Sequence, residues 1–196
     1  LHGCTYPVMP DRMEAATYLI AAAATRGEVL LTGLCPAHLT AVTDVLRQAG
    51  CELAVEDRSI ALRAPRLYAV SPIRTAPYPG FPTDMQAPMM ALALSLRGTS
   101  VFLETIFENR FMHAREMVRM GASIRIEDRI ALVSGGHPLG GTSVTSTDLR
   151  GGAALMLCGL LAEGETTLHD PNGQIARGYE DLPGMLRTLG ASVEEE

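Results

Sequence analysis

The sequence predicts an α/β domain with pseudo-threefold internal symmetry, its helices buried at the centre and its sheets outside, spanning residues 1–196 as a single domain. Three observations predict it. One pattern recurs three times: Leu46-Arg-Gln-Ala-Gly50-Cys-Glu-Leu53, Val118-Arg-Met-Gly121-Ala-Ser-Ile124 and Leu186-Arg-Thr-Leu-Gly190-Ala-Ser-Val193. An aspartate (Asp11, Asp84, Asp148) heads an apolar helical stretch in each segment, and a glycine (Gly27, Gly98, Gly164) opens the β-rich run after it. The glycine spacings agree as well, with 23 residues from Gly27 to Gly50 and from Gly98 to Gly121, and 26 from Gly164 to Gly190. The three units cover approximately 11–63, 83–133 and 147–196.

Each unit reads helix, strand, helix, strand, strand. In the first, Asp11–Arg26 is apolar on most faces, as a buried helix requires. Glu28–Thr32 is a strand, and Pro36–Ala49 carries Leu39, Val42, Val45 and Leu46 at helical spacing before the cap at Gly50. Leu53–Val55 and Ile60–Leu62 flank Asp57-Arg58 as a tight hairpin. The second unit repeats this with Thr83–Leu96, Ser100–Glu104, Phe111–Met120, Ile124–Ile126 and Ile130–Val133. The third has a helix over Asp148–Ala162, a strand over Thr166–His169 and a helix near Asp181–Leu189, with Pro183 confined to its first turn. A strand follows that helix and its hairpin partner is absent, so either another segment supplies that partner or the chain is a fragment. Residues 64–82, with five prolines, and residues 134–147, rich in Gly, Ser and Thr, read as connecting loops that break the repeat.

Composition narrows the chemistry. All 16 basic residues are arginine; with no lysine the chain performs no Schiff-base chemistry and places no P-loop lysine. Bound carboxylates or phosphates must be held by arginine or backbone N–H groups. A net charge of −6 without a basic stripe argues against nucleic acid. The longest apolar stretch, Tyr18–Ala24, is far short of the ~20 residues that span a bilayer. The four scattered cysteines lack metal-ligand spacing and read as reduced thiols of a cytoplasmic protein, with no structural metal site expected.

Several motifs then carry a resemblance. Arg74-Thr-Ala-Pro-Tyr-Pro-Gly-Phe-Pro-Thr-Asp84-Met-Gln86, Phe107-Glu-Asn-Arg110-Phe-Met-His113, Thr147-Asp148-Leu-Arg150, Arg177-Gly-Tyr-Glu180 and Pro10-Asp-Arg-Met-Glu-Ala15 recur in the order seen in the UDP-N-acetylglucosamine enolpyruvyl transferases, and the chain resembles that family throughout. The resemblance implies transfer of the enolpyruvyl group of phosphoenolpyruvate to a hydroxyl of UDP-N-acetylglucosamine, with release of phosphate by addition and elimination, in peptidoglycan precursor synthesis. It also implies two pseudo-threefold domains flanking a cleft, and no metal or organic cofactor. This chain corresponds to the domain containing the C-terminus; the N-terminal segment and the other domain, with its lysine and reactive cysteine, are missing, so the chain alone is expected to be inactive.

The resemblance implies that Asp84 binds the sugar hydroxyl and takes its proton. From the repeat alone, Asp84 reads equally as a helix cap, the reading kept for Asp11 and Asp148. Arg110, Arg150 and Arg177 are implied to hold phosphoenolpyruvate or its phosphate, groups that suit guanidinium forks. Ile106 is implied to contact the UDP-sugar, partly through backbone. His113 reads as a packed histidine, and Gln174 stands where many relatives carry histidine. The alternative to an enzyme half is a truncated or duplicated, non-catalytic module that binds sugar nucleotide.

Overall fold

The computed structural model describes residues 2–195; Leu1 and Glu196, where the expected domain begins and where it and the third unit end, lie outside the described residues. Three helices form the centre: α1 (Arg12–Ala24), α3 (Gln86–Ser95) and α5 (Leu149–Leu161). Helix α3 packs on both others, and every residue from Gln86 to Leu94 is buried. A helix enclosed on all sides has no polar stripe to show, which is why its sequence is apolar from Ala87 to Leu94. Pro88 falls in its first turn, where the missing N–H has no intrahelical partner to lose. Truncating a fully buried side chain here, such as Met90 or Leu92, is expected to cost roughly 2–5 kcal/mol.

The outer layer follows the same threefold order. Around α1, strands β1 (Glu28–Thr32), β2 (Glu52–Val55) and β3 (Ser59–Arg63) form an antiparallel sheet in the order β1-β3-β2, with Leu30 opposite Ala61. Helix α2 (Thr40–Gln48), entered through a 3-10 turn over Pro36–Leu39, buries Val42, Thr43 and Leu46. Gly50 takes φ +104° directly after it, the left-handed exit that glycine permits without strain.

Against α3 lies a sheet in the order β4-β5-β7-β6, from β4 (Ile73–Arg74), β5 (Gly98–Leu103), β6 (Ser123–Glu127) and β7 (Ile130–Gly135). Here α4 (His113–Arg119) plays the part of α2, burying His113, Ala114 and Met117. The third unit carries β8 (Leu139–Gly140), β9 (Ser143–Thr145), β10 (Ala162–Glu163), β11 (Thr167–His169) and α6 (Leu182–Thr188), with β8 parallel to β10 and β9 parallel to β11.

Two expectations change. The segments read as connecting loops supply strands: β4 lies within 64–82 and pairs in parallel with β5, while β8 and β9 lie within 134–147. These strands are two or three residues long and exist through distant partners, so no local periodicity announces them. The strand expected after α6 does not form. Residues 191–195 have no ladder to join and fold back on the helix, where Arg187 donates to the Val193 carbonyl at 3.4 Å and pairs with Glu195 at 3.0 Å.

Among the described residues no helix is long and apolar enough to cross a membrane, and no cluster of three or more His, Cys, Asp or Glu is arranged to hold a metal ion.

Candidate active site

Two of the three central helices begin alike and the third does not, and that difference creates the site. Asp11 caps α1, its Oδ1 accepting from the N–H groups of Met13 at 2.7 Å and Glu14 at 3.1 Å. Asp148 caps α5 likewise, accepting from Arg150 and Gly151 at 3.0 Å each. Asp84 caps nothing. A 3-10 turn over Thr83–Met85 precedes α3 and moves the aspartate out of capping register, leaving its side chain 40% exposed.

Arginines take up the freed carboxylate. Arg150 places Nε 3.3 Å and Nη2 3.2 Å from Asp84 Oδ2, and Arg110 places Nη2 3.6 Å from Oδ1. Arg110 also lies 3.9 Å from Asp148, so two arginines and two aspartates form one cluster of balanced charge. The Arg150 side chain is only 9% exposed, and its Nη1 is buried without a hydrogen-bond partner among the described residues. Burial works against its charge, but Tyr179 and Asp84 outweigh that effect and raise its pKa above the ordinary value. Its guanidinium stacks 5.0 Å from the Tyr179 ring, whose hydroxyl lies 2.8 Å from Thr17 Oγ1 in α1. Phe107 stacks 5.6 Å from Arg110 in the same manner. Such a cluster can exchange one of its carboxylates for an incoming anion while keeping both guanidinium groups in place.

Neighbouring segments converge here. Arg12, one residue after the Asp11 cap, stacks 5.1 Å from Tyr78 in the proline-rich loop that leads to Asp84. The 3-10 turn Ile175–Arg177 packs on the start of α5, where Ile175 comes so near Gly152 that a Cβ on this glycine would lie 2.7 Å from it. His113 is sealed beneath the cluster with Nε2 3.4 Å from Met90 Sδ; desolvation lowers its pKa to about 4, Arg110 adds to the shift and Asp148 opposes it. It is neutral, packed, and too enclosed to exchange protons with substrate. Burial raises Cys51 to about 11 and Cys158 to about 12, which keeps both thiols protonated.

Of the residues expected from the sequence, the structure brings together Asp84, Arg110 and Arg150. Ile106 sits beside them, 36% exposed, with its N–H already donated to Glu104 Oε1 at 2.8 Å. Arg177 stands apart from the cluster: it is exposed at the end of its turn and has no ion pair among the described residues. Asp148 serves both as cap and as partner of Arg110, a second role its capping position conceals. Sequence reasoning missed Glu104, which directly follows β5 in its inward register, and Tyr179, which stood in plain view inside the Arg177-Gly-Tyr-Glu180 motif.

Comparison with known proteins identifies this architecture. The family model described as EPSP synthase (3-phosphoshikimate 1-carboxyvinyltransferase) matches residues 1–186. A UDP-N-acetylglucosamine 1-carboxyvinyltransferase of Desulfofundulus thermocisternus is 51% identical over 98% of this chain and 79% of its own length. Enzymes of that name from Caldanaerobacter subterraneus and Staphylococcus aureus are each 46% identical, over 98% and 99% of the chain, and the chain spans 46% of each, about half their length. Among solved structures, the enolpyruvyl transferase NikO of Streptomyces tendae superimposes with a TM-score of 0.84 at 27% identity, covering 95% of this chain and 44% of that one. An EPSP synthase of Acinetobacter baumannii shares the fold at a TM-score of 0.76 and 17% identity, over 97% of this chain and 44% of that one. The chain therefore belongs to the EPSP synthase family of enolpyruvyl transferases, and within it to the UDP-N-acetylglucosamine 1-carboxyvinyltransferases.

Proposed function

We propose that this chain supplies one wall of a site that transfers the enolpyruvyl group of phosphoenolpyruvate to a hydroxyl of UDP-N-acetylglucosamine, an early step toward peptidoglycan in the cytoplasm, with a second domain and an N-terminal segment outside these residues supplying the rest. The observation that carries this reading is the release of Asp84 from capping and its capture by Arg110 and Arg150. The substrate phosphoenolpyruvate carries a carboxylate and a phosphate, and guanidinium groups bind both as forks. As it enters, it takes the place of the Asp84 carboxylate on Arg110 and Arg150, whose guanidinium groups stay where they are, and that carboxylate is left facing the acceptor hydroxyl. Asp84 accepts the hydroxyl proton as the oxygen bonds to C2 of phosphoenolpyruvate and C3 takes a proton from an acid of the second domain. Loss of a C3 proton to a base of the assembled site, with departure of phosphate from C2, then restores the double bond. Arg177, exposed on its turn beside α5, reaches the phosphate as the second domain closes, and Ile106 borders the sugar.

Phosphate release from phosphoenolpyruvate and UDP-N-acetylglucosamine tests this, assayed for the 196-residue chain and for the longer protein. Release is expected from the longer protein alone. A longer protein inert toward this acceptor, or active only with shikimate 3-phosphate, overturns the assignment. Turnover by the chain alone overturns the division of the site between two domains.

A further inference from the structure

Glu104 is an acid where the fold calls for an apolar side chain. Ser100 and Phe102 point inward from β5, and Glu104 continues that alternation at 1% exposure. Its charge is met by hydrogen-bond donors. Oε1 accepts from Thr75 Oγ1 at 2.8 Å, from the Ile106 N–H at 2.8 Å and from the Phe107 N–H at 3.1 Å; Oε2 accepts from Thr83 Oγ1 at 2.8 Å. Burying a carboxylate is costly unless its oxygens are satisfied, and here four donors satisfy them. Those donors come from separate pieces of chain. Thr75 follows β4, Thr83 opens the turn that carries Asp84, and Ile106 and Phe107 lead to Arg110, with Phe107 stacked against it.

We propose that Glu104 is a positioning residue for enolpyruvyl transfer: it fixes the spacing between the Asp84 turn and the Ile106–Arg110 segment, and so aligns the base with the acceptor hydroxyl. The inference rests on the function proposed above. An apolar residue at position 104 could fill the same space, but it could not hold Thr83 and Ile106 to one point. Because Asp84 caps no helix, its placement depends on contacts such as the Thr83–Glu104 hydrogen bond.

The test is steady-state kinetics on the longer protein carrying Glu104→Gln, with melting temperatures alongside. The amide keeps one acceptor for Thr75, Ile106 and Phe107, but toward Thr83 it offers an N–H that the hydroxyl can only accept, so a charge-assisted bond becomes a weaker neutral one and the core survives while the hold on the Asp84 turn loosens. The expected result is a kcat lower by ~10–100-fold, the scale of a misplacement near 1 Å, with little change in melting temperature or in KM for phosphoenolpyruvate. Thr83→Val, which removes a single arm, is expected to lose part of the same kcat, and Thr83→Ser to restore it. A Glu104→Gln protein that turns over normally, or that loses activity only as it loses folded protein, overturns the proposal. Should that variant fail to fold, the Thr83 pair decides: equal rates for valine and serine overturn it. An unmodified protein without turnover removes the functional reading too, whereas normal turnover in both the unmodified and Glu104→Gln proteins removes only the positioning role.

Discussion

The starts of α1 and α3 are the same element put to opposite uses. At α1 the carboxylate of Asp11 is consumed by two backbone N–H groups, and it serves stability. At α3 an added 3-10 turn leaves Asp84 with no backbone donor, and two arginines hold it instead. An aspartate becomes available for chemistry when the fold no longer needs it as a cap. The start of α5 is the intermediate case, since Asp148 caps its helix and also lies beside Arg110.

Mutation can break this contrast. In the longer protein Asp84→Ala is expected to lower turnover by ~100–10,000-fold, the range for a lost general base, with little change in melting temperature. Asp84→Ala activity near normal, or a loss of stability like that of a missing cap, would place Asp84 with Asp11. A smaller effect concerns His113, which packs beside the start of α5. Its folded pKa of about 4 lies below the ordinary 6.5, so between these values the unfolded chain binds a proton that the folded chain refuses. Stability therefore falls as pH drops from 6.5 toward 4, by up to about 3 kcal/mol. In urea titrations across that window His113→Leu should flatten the slope, and an unchanged slope would assign the acid sensitivity elsewhere. The smallest effect is at the caps: Asp11→Ala and Asp148→Ala should each cost ~1 kcal/mol in thermal melts. Turnover should fall for Asp148→Ala and hold for Asp11→Ala; equal turnover in the two would reduce Asp148 to a cap.

Much of the fold could be read from short stretches of sequence. Glu28–Thr32 forms the expected strand with the same bounds, and the caps at Asp11 and Asp148 and the apolar central helices follow from their local sequence. Strands β4, β8 and β9 could not be read in this way, because partners far along the chain create them. The site divides similarly. Asp84, Arg110 and Arg150 were legible through their motifs, but the 3-10 turn that separates Asp84 from the other two aspartates was not, since Thr83-Asp84-Met85 differs little in local preference from a first helical turn. Glu104 did leave a signal, an acid two residues beyond Phe102 in the inward register of β5, which counts as one only once that face is known to be covered.

The enclosure of α3 has a consequence for motion. A helix buried from Gln86 to Leu94 can exchange its amide hydrogens only when the domain opens as a whole, because no local opening reaches them. The turn bearing Asp84 is joined directly to that helix, so its carboxylate is tethered to the most enclosed element of the domain. Exposed Arg177 rides on a surface turn. In the function proposed above, the aspartate is the fixed reference, and the arginine on its turn is the part that comes to meet it.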